Sequence, residues 1–142
     1  MLVVVSGGFD PIHVGHVRYI NSAKKLGTSL LVILNTDDFL INKKGHVFMP
    51  FEERREILLN LRSVDDVIKC IDNDQTVCKT LEYIQSINHC DILFAKGGDR
   101  TLDNIPEKKT CERLGIKMVF DVGGGKIQSS SDLVKKAKNG TL

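Results

Sequence analysis

Two histidines three residues apart, His13 and His16, stand in the segment Gly7-Gly8-Phe9-Asp10-Pro11-Ile12-His13-Val14-Gly15-His16. An imidazole can donate a hydrogen bond to a phosphate oxygen and stabilise charge that builds up there during reaction. If the segment is helical, the spacing places both rings on one face. Paired glycines let the backbone turn sharply and come close to a ligand, and a helix start offers free N–H groups and partial positive charge. Plain helix capping is the bland alternative, and a shared zinc ion a second one. No cysteine or third histidine lies nearby in sequence, so zinc ranks below phosphate.

Further chemistry-bearing residues follow. Asn35-Thr36-Asp37-Asp38-Phe39 trails an apolar run and leads to Lys43-Lys44-Gly45. Either Asp37 or Asp38 suits a substrate hydroxyl or ammonium, and a lysine on a glycine-containing loop can reach a phosphate as a mobile charge. Phe94-Ala95-Lys96-Gly97-Gly98-Asp99 reads as a strand ending in small residues, where a base or sugar can pack against main chain. Late in the chain, Gly123-Gly124-Gly125-Lys126-Ile127-Gln128-Ser129-Ser130-Ser131 reads as a second anion site. Ser129, Ser130 and Ser131 would cap a helix start, with hydroxyls and N–H groups open to phosphates.

These residues need a frame. Apolar runs at 2–5, 30–34, 64–71, 92–95 and 117–121 suit strands buried on both faces of a parallel sheet. Between them the pattern predicts a helix over 16–26, with Val17, Ile20, Ala23 and Leu26 on one stripe and Gly27 as its stop. Pro50 and the acidic residues after it begin another helix. Residues 76–87 and 105–114 supply two more. Strands alternating with helices imply right-handed crossovers and an α/β, doubly wound, five-stranded parallel sheet. Ligands in such sheets bind beyond the carboxyl ends of the strands, where these motifs fall.

The chain has 142 residues, enough for one domain, expected over 1–137 with a polar tail at 138–142. A net charge of +2 argues for neither nucleic acid nor membrane as partner. Cys70, Cys78, Cys90 and Cys111 match no zinc spacing, which suits reduced thiols in a cytoplasmic protein. The apolar start is too short for a signal peptide or a membrane span.

The Gly-x-Phe-Asp turn followed by His-x-Gly-His resembles the signature of the cytidylyltransferase-like nucleotidyltransferases, over nearly the whole chain. The resemblance implies a Rossmann-like fold, and His13 and His16 as contacts to the triphosphate and catalytic residues. It implies Gly8, Phe9 and Asp10 at the nucleotide, with Asp10 on the side of a Mg²⁺ ion. Lys44 matches a family lysine, catalytic and acceptor-binding, beside Asp37 and Asp38 as acceptor contacts. Phe51-Glu52-Glu53-Arg54 matches a family pattern, which makes Arg54 either a brace for the Lys44 loop or a ligand contact.

Lys96-Gly97-Gly98-Asp99 is similar to the turn of the heptose-phosphate adenylyltransferases, so Lys96, Gly97 and Asp99 join the nucleotide set. Ser129 to Ser131 match the family's closing serine run. The arginine of the cytidylyltransferase form is missing, and Lys126 is the candidate to replace its charge. The resemblance implies in-line transfer of a nucleotidyl group to a phosphorylated small molecule. ATP with a heptose-type sugar 1-phosphate comes first. CTP with glycerol 3-phosphate and ATP with FMN are the alternatives. A homodimer is expected on the same ground. A nucleotide-binding module without catalysis is the reading of another class, and synthetase-like chemistry on tRNA ranks lowest.

Overall fold

The computed structural model describes residues 1–97, 105–124 and 130–139, without the side chains of Ser131 and Asp132. Five parallel strands form one sheet: β1 (Leu2–Gly7), β2 (Ser29–Leu34), β3 (Asp66–Lys69), β4 (Ile92–Ala95) and β5 (Lys117–Val119). Their order is β3-β2-β1-β4-β5. The chain therefore winds outward from β1 in one direction, then crosses over and continues from β4 in the other. The crevice at the carboxyl ends of β1 and β4 is the switch point where such sheets bind ligands.

Alternation along β1 divides the core. Val3 and Val5 join Ile20, Ala23, Leu30, Val32 and Leu58 on one face. Leu2 and Val4 join Ile33, Leu81, Ile84, Phe94 and Cys111 on the other. Helices α1 (Val14–Lys24) and α3 (Phe51–Leu59) therefore cover the first face. Helices α4 (Cys78–Ile87) and α5 (Pro106–Leu114) cover the second. Burial on both faces is the reason the strands read as unbroken apolar runs.

Two expectations need correction. Helix α1 ends at Lys24, and Leu26 is 40% exposed. Gly27 is not its left-handed stop; it is required by contact, because a Cβ there would lie 2.6 Å from the Met1 carbonyl oxygen. The stretch expected to be a loop after β2 is a helix, α2 (Asp37–Lys44). Thr36 caps it by accepting the Phe39 N–H at 3.0 Å, and Gly45 closes it with a φ of 85°. Lys44 thus projects from a helix end. A last helix, α6 (Ser130–Lys138), follows β5. Among the described residues no helix is long and apolar enough to cross a membrane.

Candidate active site

Leaving β1, the chain turns at Phe9, whose φ is 51°. The Phe9 ring is buried and meets His16 edge-on at 4.9 Å between centroids. His13 stands before the helix as its extended N-cap, and His16 is the third helical residue. His13 Nδ1 accepts the Gly15 N–H at 3.1 Å, and His16 Nδ1 accepts the His13 N–H at 3.2 Å. This is a capping box built from imidazoles. The rings stack with centroids 3.8 Å apart and planes 24° from parallel. Gly15 makes room for this, since a Cβ there would lie 2.9 Å from His13 Cε1.

Capping and phosphate binding are therefore compatible. A neutral imidazole has one donor and one acceptor nitrogen. With Nδ1 accepting, the proton of a neutral His16 resides on Nε2, so this ring offers an N–H away from the cap. Burial, helped by the charges of His13 and Lys44, lowers the His16 pKa from 6.5 to about 4. His16 is a neutral donor at physiological pH.

Asp10 is 1% exposed. Its carboxylate accepts the Phe48 N–H at 2.6 Å and the Met49 N–H at 2.5 Å. It thereby holds down the segment between α2 and α3. Lys44, half-buried at the end of α2, feels Asp10 and is felt by His16. Burial, aided by Lys43 and Arg54, pulls its ammonium below the usual lysine value, and Asp10 opposes that shift. A partly desolvated lysine whose charge reaches His16 is well suited to a phosphate dianion.

Arg54 is the largest fully buried side chain. Its guanidinium donates to Met49 O at 2.8 Å, Gly8 O at 2.9 Å, Asn35 O at 2.8 Å and Asp37 Oδ1 at 2.7 Å. Four segments thus meet on one planar fork: the turn after β1, the end of β2, the start of α2 and the approach to α3. In this arrangement Arg54 is a brace for the site, and Asp37, expected at the acceptor, is its ion-pair partner. Asp38 is exposed in the first turn of α2. Gly8 packs closely on Leu40, whose Cδ2 would have to shift for a Cβ placed 2.7 Å away.

Across the crevice, Lys96 pairs main chain with the end of β5 and the residues just after it: its N–H donates to Val119 O at 2.7 Å, and its carbonyl accepts the Val122 N–H at 3.0 Å. Tyr19 of α1, absent from the sequence expectations, ties the two halves by donating to Ala95 O at 2.5 Å. Its ring lies 3.6 Å from where a Gly97 Cβ would stand. Gly123, with a φ of 92°, abuts the Tyr19 backbone. Ser130 Oγ donates to Pro11 O at 2.8 Å, which seats the start of α6 on the histidine turn. Ser131 is in α6; Asp99, Ser129 and Lys126 lie outside the described residues.

Among the described residues no group of three or more His, Cys, Asp or Glu could hold a metal ion. Both Asp10 oxygens already accept backbone N–H groups. No such cluster would hold a metal by protein ligands alone among the described residues, and each Asp10 oxygen keeps a further lone pair beyond its backbone bond.

Known proteins resemble the chain in sequence and in fold. The sequence model of the Cytidylyltransferase-like family matches residues 4–135, and the chain belongs to that family of nucleotidyltransferases. Its members bind a nucleoside triphosphate and a phosphorylated acceptor, and generally use a divalent metal. The bifunctional protein HldE of Geotalea uraniireducens is 32% identical over 99% of this chain, which spans 28% of that protein. The FAD synthase of Picrophilus torridus is 30% identical over 96% of this chain and 95% of its own length. That of Pyrococcus abyssi is 36% identical over 82% and 75%. Among solved structures, a lipopolysaccharide core biosynthesis protein from Thermoplasma volcanium matches with a TM-score of 0.67. It is 25% identical, with 84% of this chain and 93% of that one covered.

Proposed function

We propose that the chain transfers an adenylyl group from ATP to a phosphate monoester. An acceptor phosphate oxygen attacks the α-phosphorus, the bond to the bridging oxygen breaks, and pyrophosphate leaves. Both reactants are anions with competent oxygen nucleophiles, so positioning and charge neutralisation supply the catalysis. The Nε2–H groups of His13 and His16 donate to the triphosphate, with Lys44 on a phosphate between the reactants. Ser129, Ser130 and Ser131 bring the α6 start to the β- and γ-phosphates. Gly8, Phe9, Lys96, Gly97 and Asp99 complete the nucleotide side. Asp10 and Arg54 act as positioning residues. Magnesium is the proposed ion, and it enters on the triphosphate, since that ion binds with few protein ligands.

The observation that carries this reading is the imidazole pair, stacked and capped through Nδ1 at the start of α1. A heptose-type sugar 1-phosphate is the proposed acceptor, supported by the Lys96-Gly97 turn and the likeness to HldE, which carries a heptose-1-phosphate adenylyltransferase domain. A second acceptor, FMN, has its own support. Ile41, one turn before Lys44, and Phe48, on the segment that Asp10 holds, are 49% and 53% exposed. A planar ring would cover such surfaces, and the FAD synthases match this chain in length. The family resemblance further supports a cytoplasmic homodimer.

Pyrophosphate release is the test, with ATP or CTP paired in turn with heptose 1-phosphate, FMN and glycerol 3-phosphate. Release with ATP and one of the first two is expected. Silence in every pairing overturns the transferase reading, and a preference for CTP overturns the adenylyl assignment.

A further inference from the structure

In a parallel sheet a strand offers alternate residues to each neighbour, and the rungs are evenly spaced. In β1 the even-numbered residues face β4: the Leu2 N–H donates to Asp91 O at 2.9 Å. Continued at that spacing, the ladder would join the Ser6 N–H to Ala95 O. That rung is missing. Pairing of β1 with β4 ends at Val4 and Phe94, whereas pairing with β2 runs on to Gly7 and Leu34. The hydroxyl of Tyr19, from α1, stands in the open place. It donates to Ala95 O, and the Ser6 main chain reaches the same phenol oxygen. A hydroxyl accepts and donates at once, and burial raises the phenol pKa, which keeps it protonated.

We infer that Tyr19 is a positioning residue for the nucleotide: its hydroxyl replaces one rung of the sheet and holds the ends of β1 and β4 apart where the nucleotide enters between them. A direct bond from Ser6 to Ala95 would satisfy the same two groups with no side chain at all. What the hydroxyl adds is width. The strands it separates lead into Gly7-Gly8 and Lys96-Gly97, the two sides of the proposed nucleotide site. The same residue also supports the glycines beyond them. Its ring lies 3.6 Å from where a Gly97 Cβ would stand, and a Gly123 Cβ would lie 2.8 Å from Tyr19 Cα. Lys44 and the rest of α2 follow β2, on the other side of β1, so the acceptor side does not depend on this bond. The inference rests on the proposed nucleotide site.

Tyr19→Phe in the full chain removes the hydroxyl alone. The Ser6 N–H and Ala95 O can then close into the missing rung and narrow the entrance. Calorimetric titration with ATP and Mg²⁺ should show binding weakened about tenfold, the equivalent of one lost hydrogen bond. The KM for the acceptor stays unchanged. A merely structural tyrosine would lower the urea midpoint and leave the ATP affinity alone. If Tyr19→Phe does not fold, Tyr19→Met, which puts a flexible apolar side chain in the same space, must show the same separation of ATP from acceptor. Unchanged ATP affinity overturns the inference, as does an equal weakening of ATP and acceptor. A wild type that binds ATP without releasing pyrophosphate ends the transferase reading and leaves the calorimetric comparison to decide this one. A wild type that binds no ATP overturns both.

Discussion

Replacing His16 by asparagine and lowering the pH attack the same feature from two sides. The folded chain holds His16 neutral, with its pKa moved from 6.5 to about 4 by burial first and by His13 and Lys44 after it. Above pH 6.5 neither folded nor unfolded chain binds the proton, and the stability is fully present. Below that value the unfolded chain takes it up and the folded one does not. Stability is then lost at up to about 1.4 kcal/mol per pH unit until the folded state also protonates near pH 4. The whole effect is on the order of 3 kcal/mol, a large share of the roughly 5–15 kcal/mol that holds a domain together.

Asparagine isolates this contribution. Its Oδ1 can stand where Nδ1 of His16 accepts the His13 N–H, so the cap survives while the titration and the Nε2 donor disappear. The chain has no tryptophan, so urea unfolding is followed by circular dichroism at several pH values. The stability of the wild type minus that of His16→Asn should fall by roughly 1–2 kcal/mol between pH 7.5 and 5.5. Groups that titrate in both proteins cancel in that difference. Turnover of His16→Asn should drop about 100- to 1,000-fold at every pH, as on loss of one preorganised donor. Parallel pH profiles would show that His16 is not held neutral by burial, and near-normal turnover would refute its role as a phosphate donor.

Arg54→Lys keeps the charge but loses the planar fork. A lysine cannot serve all of Met49, Gly8, Asn35 and Asp37, so a cost of about 3–5 kcal/mol in urea unfolding is expected. Asp37→Asn keeps an acceptor for Nη2 but removes the carboxylate facing a fully buried guanidinium, so it should cost less, about 1–3 kcal/mol; equal costs would contradict the reading. Gly123→Ala should destabilise by about 2–4 kcal/mol through its positive φ and a Cβ placed 2.8 Å from Tyr19 Cα. A thermal melt that superimposes on the wild type would show that this contact yields freely.

How far the sequence could be read followed from where each signal came from. The strands were legible because a parallel sheet buries both faces, and β-branched runs such as Leu2 to Val5 have no other common use. Helix α2 was missed because only Phe39 and Leu40 of its eight residues are buried, too few for an apolar stripe. Its boundary signals were nevertheless present: Thr36 as cap, Asp37 and Asp38 in the first turn, Lys43 and Lys44 in the last, Gly45 beyond. Gly27 was misread because a glycine needed for close approach and one needed for a positive φ look alike in sequence. For Arg54 the family pattern offered bracing as one of two readings, but not its partners, since Met49, Gly8, Asn35 and Asp37 come from separate segments that only the fold assembles.

The histidine turn shows what such a motif encodes. Spacing alone suggested two rings on one helix face; the structure makes one of them the cap and the other the third helical residue. Gly15 lets the His13 ring fold back, the two caps occupy both Nδ1 atoms, and that choice leaves the proton of a neutral His16 on Nε2. A side chain at residue 15 would push the His13 ring off its cap and out of its stack with His16. The glycine between the histidines therefore belongs to the chemistry of the site as much as to its shape.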